Sequence, residues 1–294
     1  MYFKEEKDCL GTRLTLEIVN DQIDQFKITE FWSFVVSFEK QFSRFLKDSE
    51  LSKLNSHVGG WLGVSDEMIS LLVEAERLNS ETDGYFDVLV ESTLSDLGYD
   101  SNYSFIDKRI NLLKDNDLRR VEFDLEKLMV KIPTTVDLGG LGKGYILDVA
   151  KRYFGEMKGC CLNAGGDIWV HGTDETDKLW KIYIENPVNL DQAIGFIESD
   201  ELFLASSNVK KRRWGKHHHL INPKFLLPAD EMLAVYVQSD SGLMADVFST
   251  ALFVMGFEKA KLYLINKPHV EAMLVSNGGA IWKSAGYSVQ LFES

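Results

Sequence analysis

Thr134-Thr-Val-Asp137-Leu-Gly139-Gly140-Leu-Gly142-Lys143-Gly144-Tyr145, continuing as Ile146-Leu-Asp-Val-Ala-Lys-Arg-Tyr-Phe154, is the stretch on which the reading of the fold turns. A glycine-rich turn opens directly onto an amphipathic helix. Glycines let a backbone approach a ligand closely, and the N-terminus of a helix favours an anion. Lys143 adds a charge within reach of a phosphate or ribose. The segment is not a P-loop: Gly144, not Ser or Thr, follows Gly142-Lys143, and the upstream glycine is missing. Nor is it the G-x-G-x-x-G of a dinucleotide fold. The same residues also read as a glycine turn packing a helix on a sheet, and spacing alone does not choose between the two.

Working outward, Val121 to Ile132 reads as a hairpin turning near Glu126-Lys127. Residues 160–170, 179–185, 193–205 and 232–238 are rich in strand formers. Leu14, Leu16 and Ile18 alternate with polar residues over Thr12 to Val19, a half-buried strand. Ile28 to Leu46 reads as a helix with one aromatic face, and Ser65-Asp-Glu-Met68 starts a helix running to about Asn79. Gly84 ends that helix, and Tyr85 to Val88 reads as a following strand. Met244 to Met255 is a short helix, and Ile281 to Phe292 strands and turns. Strand runs with a few helices between them predict an α+β fold with mixed or antiparallel sheets, not a regular βαβ succession.

The chain has 294 residues, 45% of them hydrophobic, and a formal net charge of −13. That supports a sizeable core and argues against a nucleic-acid backbone as partner. Cys9, Cys160 and Cys161 are an odd count with a poor adjacent pair, and read as reduced thiols. The start, Met1-Tyr-Phe-Lys-Glu-Glu-Lys-Asp8, has no apolar run behind its charges, and no stretch approaches a membrane span. A cytoplasmic protein is expected, with residues 1–294 as a single domain.

Four further segments carry possible chemistry. Asp246 and Thr250 are four apart and share a helix face, offering hard oxygen donors suited to Mg2+. Taken alone, the pair reads rather as a helix-start Asp and a Thr bonding back into its own helix, since Asp-x-x-x-Thr is common. His217-His-His219-Leu-Ile221-Asn222-Pro223 invites a metal reading, but consecutive strand residues alternate faces. One positioned histidine with two exposed neighbours is expected. Lys47-Asp-Ser-Glu-Leu-Ser-Lys-Leu-Asn55 reads as a capped turn. Thr82-Asp-Gly84-Tyr85-Phe86-Asp87-Val88, by itself, is structural.

In this order, these segments resemble the FAD:protein FMN transferases, the ApbE family, over nearly the whole chain. Leu10-Gly11-Thr12 is similar to the family's Met-Gly-Thr opening, and Asp48 to Asn55 to its Asp-Ser-x-(Ile/Leu)-Ser-x-Leu-Asn. Gly84 to Asp87 resembles Gly-Ala-Phe-Asp, and Asp137 to Tyr145 resembles Asp-Leu-Gly-Gly-Ile-Ala-Lys-Gly-Tyr. Asn163-Ala-Gly-Gly-Asp167 and Ala245-Asp246-x-x-Ser-Thr250-Ala follow the family's Asn-x-Gly-Gly-Asp and Ala-Asp-x-x-Ser-Thr-Ala. The resemblance implies two intimate subdomains enclosing FAD in a cleft. It implies Mg2+ held by Asp246, Thr250 and the Gly140 carbonyl. Asp137, Lys143 and Ile221 would contact FAD; Tyr85, Phe86 and Asp87 would line its pocket. Leu10 and Phe45 would flank the flavin, Phe45 as an exposed stacking ring. A Ser or Thr hydroxyl of an acceptor protein would attack the FMN phosphorus, AMP would leave, and His219 is the candidate base. Two stretches depart from the pattern. Asn222 replaces an Asp, with Phe225-Leu226 in place of Thr-Gly, and Leu204-Ala-Ser-Ser-Asn208 stands where the family has Ala-Thr-Ser-Gly-Asp. The alternatives are therefore a FAD pyrophosphatase giving FMN and AMP, or a protein that binds FAD without turnover.

Overall fold

The structure is a computed structural model describing residues 1–108, 120–210, 212–215, 217–267 and 270–293. It opens on a hairpin of β1 (Tyr2–Cys9) and β2 (Thr12–Val19), then α1 (Gln25–Phe42), α2 (Glu50–Asn55), β3 (Trp61–Gly63), α3 (Asp66–Glu81) and α4 (Glu91–Asp96). The predicted 121–132 hairpin is β4 (Glu122–Asp124) and β5 (Met129–Lys131), and the glycine-rich segment leads into α5 (Gly142–Phe154). Five strands follow: β6 (Gly159–Ala164), β7 (Asp167–Gly172), β8 (Trp180–Glu185), β9 (Ala193–Ser199) and β10 (Glu201–Asn208). Four two-residue strands come next: β11 (Arg213–Trp214), β12 (His217–His218), β13 (Ile221–Asn222) and β14 (Leu227–Pro228). The chain closes through β15 (Met232–Ser239), α6 (Gly242–Met255), α7 (Phe257–Ile265), β16 (Glu271–Ser276), β17 (Ile281–Lys283) and β18 (Gln290–Leu291).

The chain divides into two compact units, each discontinuous in sequence. The first is Met1–Val36, Leu141–Lys210 and Asp230–Ser294; the second is Ser37–Gly140 and Lys211–Ala229. In the first, eight strands form one sheet in the order β1-β2-β6-β7-β10-β15-β16-β17. One face meets the three-stranded sheet β18-β9-β8, and between them lie Trp180, Ile182, Ile184, Ile197, Leu202, Leu204 and Tyr236. α5 and α6 cover the other face. β10 is therefore apolar on consecutive residues, Leu202 and Leu204 facing one layer while Phe203 stacks on Trp169. Burying such side chains is worth roughly 1.5–3 kcal/mol each. In the second unit, β3-β5-β4 form a small sheet, and Leu94, Leu97, Trp214 and Ile221 share an apolar cluster.

The fold is α+β as the patterning predicts, and every strand pairing among the described residues is antiparallel. Four readings are corrected. α1 stops at Phe42, not Leu46, because Ser43 turns the chain: its hydroxyl accepts the Phe45 N–H at 3.3 Å. The capped turn after it continues as α2, with Ser49 as N-cap accepting from the Ser52 N–H. No strand follows Gly84; Asp83 and Gly84 both have positive φ, 53° and 73°, and residues 85–90 run through bends into a turn at 89–90. The alternation of polar and apolar residues also missed β1 and β16. Among the described residues no helix is long and apolar enough to cross a membrane. The three cysteines are free thiols, as expected.

Candidate functional site

In the first unit, the site is built where α5 and α6 cross. A Cβ on Gly144 would lie 2.3 Å from the Gly242 carbonyl oxygen, and one on Gly242 would lie 2.5 Å from that of Gly144. Two helices this close need glycine at both points. Asp148 fixes the start of α6, accepting from the Ser241 hydroxyl (2.9 Å), Gly242 N–H (2.7 Å) and Leu243 N–H (3.0 Å). The crossing sets the first turn of α5 against Asp246. Gly144 N–H donates to Asp246 Oδ2 at 3.0 Å, and Lys143 Nζ donates to both Asp246 oxygens at 3.0 and 3.2 Å.

Lys143 also donates to Asp167 Oδ2. Asp167 follows the Gly165-Gly166 turn, whose φ values of 67° and 102° only glycine adopts at little cost, and its other oxygen accepts the Ser206 N–H at 3.0 Å. Asp167 and Asp246 are 2% and 3% exposed. One ammonium thus serves two buried carboxylates. Burial pushes the Asp246 carboxyl up to about 6; Lys143 opposes that rise and Asp167 adds to it. One turn on, Thr250 lies 3.4 Å from the Ser207 hydroxyl, which meets Ser249 Oγ at 2.9 Å, and Ser249 donates to the Asp246 carbonyl.

This donor set fits Mg2+. Among the described residues no group of three or more His, Cys, Asp or Glu is placed to hold a metal ion. A magnesium ion takes few protein ligands and completes its shell with water and substrate phosphates. A buried carboxylate with hydroxyl oxygens one turn away suits that demand. Gly140 ends the first segment of the second unit; a Cβ there would lie 3.2 Å from the Phe86 ring.

In the second unit, Asp137 is fixed by Arg44. Arg44 Nε donates to Asp137 Oδ2 at 3.1 Å, and the guanidinium also reaches Glu91 (3.3 Å) and the Tyr99 carbonyl (2.8 Å). Asp137 Oδ1 accepts the Gly139 N–H at 2.7 Å. The Arg44 guanidinium lies 4.3 Å from the Phe45 ring centre. Phe45 is half-buried, not the exposed ring expected, because Tyr103 stacks on it at 4.9 Å and 10°. Tyr99 meets Phe45 edge-on and stacks on Trp214 at 5.3 Å. Tyr85 and Phe86 are buried, with the Lys224 ammonium 4.0 Å over the Tyr85 ring. Asp87 is paired to Arg120 at 2.7 Å, which also binds Glu76. Ile221 packs beside Trp214. Leu10, in the first unit, holds a φ of 56° in the β1–β2 turn, a conformation that costs a branched side chain about 1–2 kcal/mol.

The histidine run departs from expectation. His217 and His218 are buried and His219 half-buried, each with its own partner. His217 Nε2 meets Asp107 at 3.1 Å. His218 Nδ1 accepts the Leu220 N–H, so its Nε2–H donates to the Ala229 carbonyl at 2.7 Å and the ring is neutral. His219 Nδ1 lies 3.4 Å from the Arg212 carbonyl. The strands β11 and β12 are too short for strict face alternation to decide exposure. Sequence reasoning assigned no role to Asp167 and missed Arg44, Arg120 and Tyr103, each of which has a partner far along the chain.

The two units thus define an α+β protein with a buried acid–ammonium cluster at a helix start and an arginine-backed aromatic row. A sequence profile described as the ApbE family matches residues 10–274. The chain belongs to the ApbE family. The FAD:protein FMN transferase of Vibrio cholerae is 28% identical over 246 residues, covering 79% of this chain and 74% of that protein. The protein of the same description from Haemophilus influenzae is 28% identical over 282 residues, covering 86% and 79%. Among solved structures, the ApbE protein of Thermotoga maritima matches with a TM-score of 0.88 at 25% identity, covering 97% of each chain. The flavin transferase ApbE of Vibrio cholerae shares the fold, with a TM-score of 0.80 at 22% identity over 97% of each chain.

Proposed function

We propose that this chain is a Mg2+-dependent FAD:protein FMN transferase, moving FMN from FAD to a serine or threonine hydroxyl of an acceptor protein and releasing AMP. The observation that carries the reading is the buried Lys143–Asp167–Asp246 cluster with Thr250 one turn beyond, at the start of a helix. In this reading Asp246, Thr250 and the Gly140 carbonyl would hold the ion. Bound there, Mg2+ would offset the negative charge of the FAD diphosphate and of the leaving AMP phosphate. Lys143 and the first-turn N–H groups of α5 face the phosphates. Asp137, held by Arg44, and Ile221, Tyr85, Phe86 and Asp87 shape the cofactor pocket, with Phe45 and Leu10 flanking the ring. The acceptor oxygen bonds to the FMN phosphorus as the bond to the AMP phosphate oxygen breaks. His219 takes the hydroxyl proton: with Nδ1–H turned to the Arg212 carbonyl, its Nε2 carries the lone pair a base needs.

Two of the departures from the family pattern, Asn222 and Asn208, are mild in structural terms. Asn222 Oδ1 accepts the Lys224 N–H at 3.0 Å and Asn208 Oδ1 the Lys210 N–H at 2.8 Å, roles an Asp fills equally. The test combines the protein with FAD, Mg2+ and an acceptor carrying a Ser/Thr flavinylation motif. AMP should appear together with the mass of FMN on the acceptor. AMP without the adduct would replace transfer by FAD hydrolysis, and bound flavin with neither product would leave a binding protein. Asp246→Ala should lower turnover by roughly a hundredfold, the upper end of what changes to residues that only support a metal's ligands already cost. An unchanged rate in that variant sinks the metal assignment.

A further inference from the structure

Both oxygens of Asp246 are already engaged: Lys143 Nζ bonds each, and Gly144 N–H also bonds Oδ2. Asp167 is engaged as well, one oxygen by Lys143 and the other by the Ser206 N–H. A divalent ion binding Asp246 would meet a unit positive charge about one hydrogen-bond length from the same oxygens, in a buried setting where like charges repel strongly. Ion and ammonium therefore compete for that carboxylate.

We infer that Lys143 is an internal counter-ion that competes with the divalent cation for Asp246, and that Asp167 is the positioning residue that keeps the displaced ammonium at the site. The inference rests on the reading that Asp246 takes the cation. Asp167 is suited to the part because its second oxygen is pinned to the backbone of β10, so it stays in place when Lys143 turns. The charge balance runs in the same direction. Two carboxylates and one ammonium leave the cluster at net −1. Adding a divalent ion makes it +1, a cluster that then favours a diphosphate. The cation therefore turns an anion-repelling site into an anion-attracting one and frees Lys143 to face the phosphates. Cation and dinucleotide should each tighten the binding of the other.

The test measures Mn2+ binding by electron paramagnetic resonance on the full chain without flavin, Mn2+ standing in for Mg2+. Lys143→Met should bind Mn2+ roughly tenfold tighter than the wild type, within the ordinary range of a coupling between two ligands. Asp167→Asn should bind it more weakly, since the displaced ammonium then has no second anchor. An affinity unchanged or weakened in Lys143→Met overturns the inference, as does an unchanged affinity in Asp167→Asn. The cation assignment itself survives that result if Asp246→Asn loses the ion, and falls if Asp246→Asn binds Mn2+ as the wild type does or if no form binds it. Should a variant fail to fold, the wild type decides. Reductive methylation of Lys143, followed by mass spectrometry, should speed up on adding Mn2+, and an unchanged rate overturns the inference.

Discussion

Asp246 is a carboxylate with too little solvent and one shared counter-ion. Its folded pKa of about 6 lies above the ordinary value of 3.8. The folded state therefore holds this proton more tightly than the unfolded chain does. The stability it contributes is complete below the ordinary value and is lost as pH rises through about 6. In metal-free buffer, the unfolding free energy of the wild type relative to Asp246→Asn should fall between pH 4 and pH 7. Urea titrations across that range check it, and a constant difference would count against the burial argument. At this scale the sequence showed half of the site. Asp246 and Thr250 stand one helical turn apart, and Lys143 follows a glycine run, so local periodicity exposes both. Arg44 on Asp137 and Arg120 between Glu76 and Asp87 join residues far apart in the chain. Periodicity sees only near neighbours, so these pairs were invisible.

Among elements, the crossing of α5 and α6 controls the site. Gly144→Ala would drive a methyl group into the Gly242 carbonyl and the Asp246 Cβ, 2.8 Å away. Overpacking of this kind costs about 1–3 kcal/mol, and here it also parts Lys143 from Asp246. Gly63→Ala, where a Cβ would meet nothing within 4 Å, is the control and should change stability by no more than about 0.5 kcal/mol. Chemical denaturation of both variants compares them, and equal midpoints would refute the tight crossing. α6 was legible as a helix because it is apolar over most of its surface and buried almost throughout. β1 was not, because its charged residues lie on a strand at the edge of the sheet, where neither face is fully buried.

For the molecule as a whole, chain order and spatial order disagree. β2 pairs with β6, so Leu14, Leu16 and Ile18 lie in a sheet completed only by residues beyond 158. The second unit likewise needs the segment from Lys211 to Ala229. Neither residues 1–140 nor residues 141–294 alone should unfold cooperatively in urea as followed by circular dichroism; a sharp transition in either would contradict the interleaving. Composition and strand patterning predicted the α+β class. They could not predict the order of the sheet, because strand partners are chosen by burial across long loops and not by local sequence.

The glycine pair at the helix crossing also bears on how such a chain can change over generations. A side chain at either position meets the other helix's backbone, which no second substitution can shrink. A lineage that loses one glycine is not repaired by altering the other, so both positions are held independently. Tolerated variation should gather elsewhere on α5 and α6, and a protein library randomised at residues 144 and 242 and selected for folding should return glycine at both.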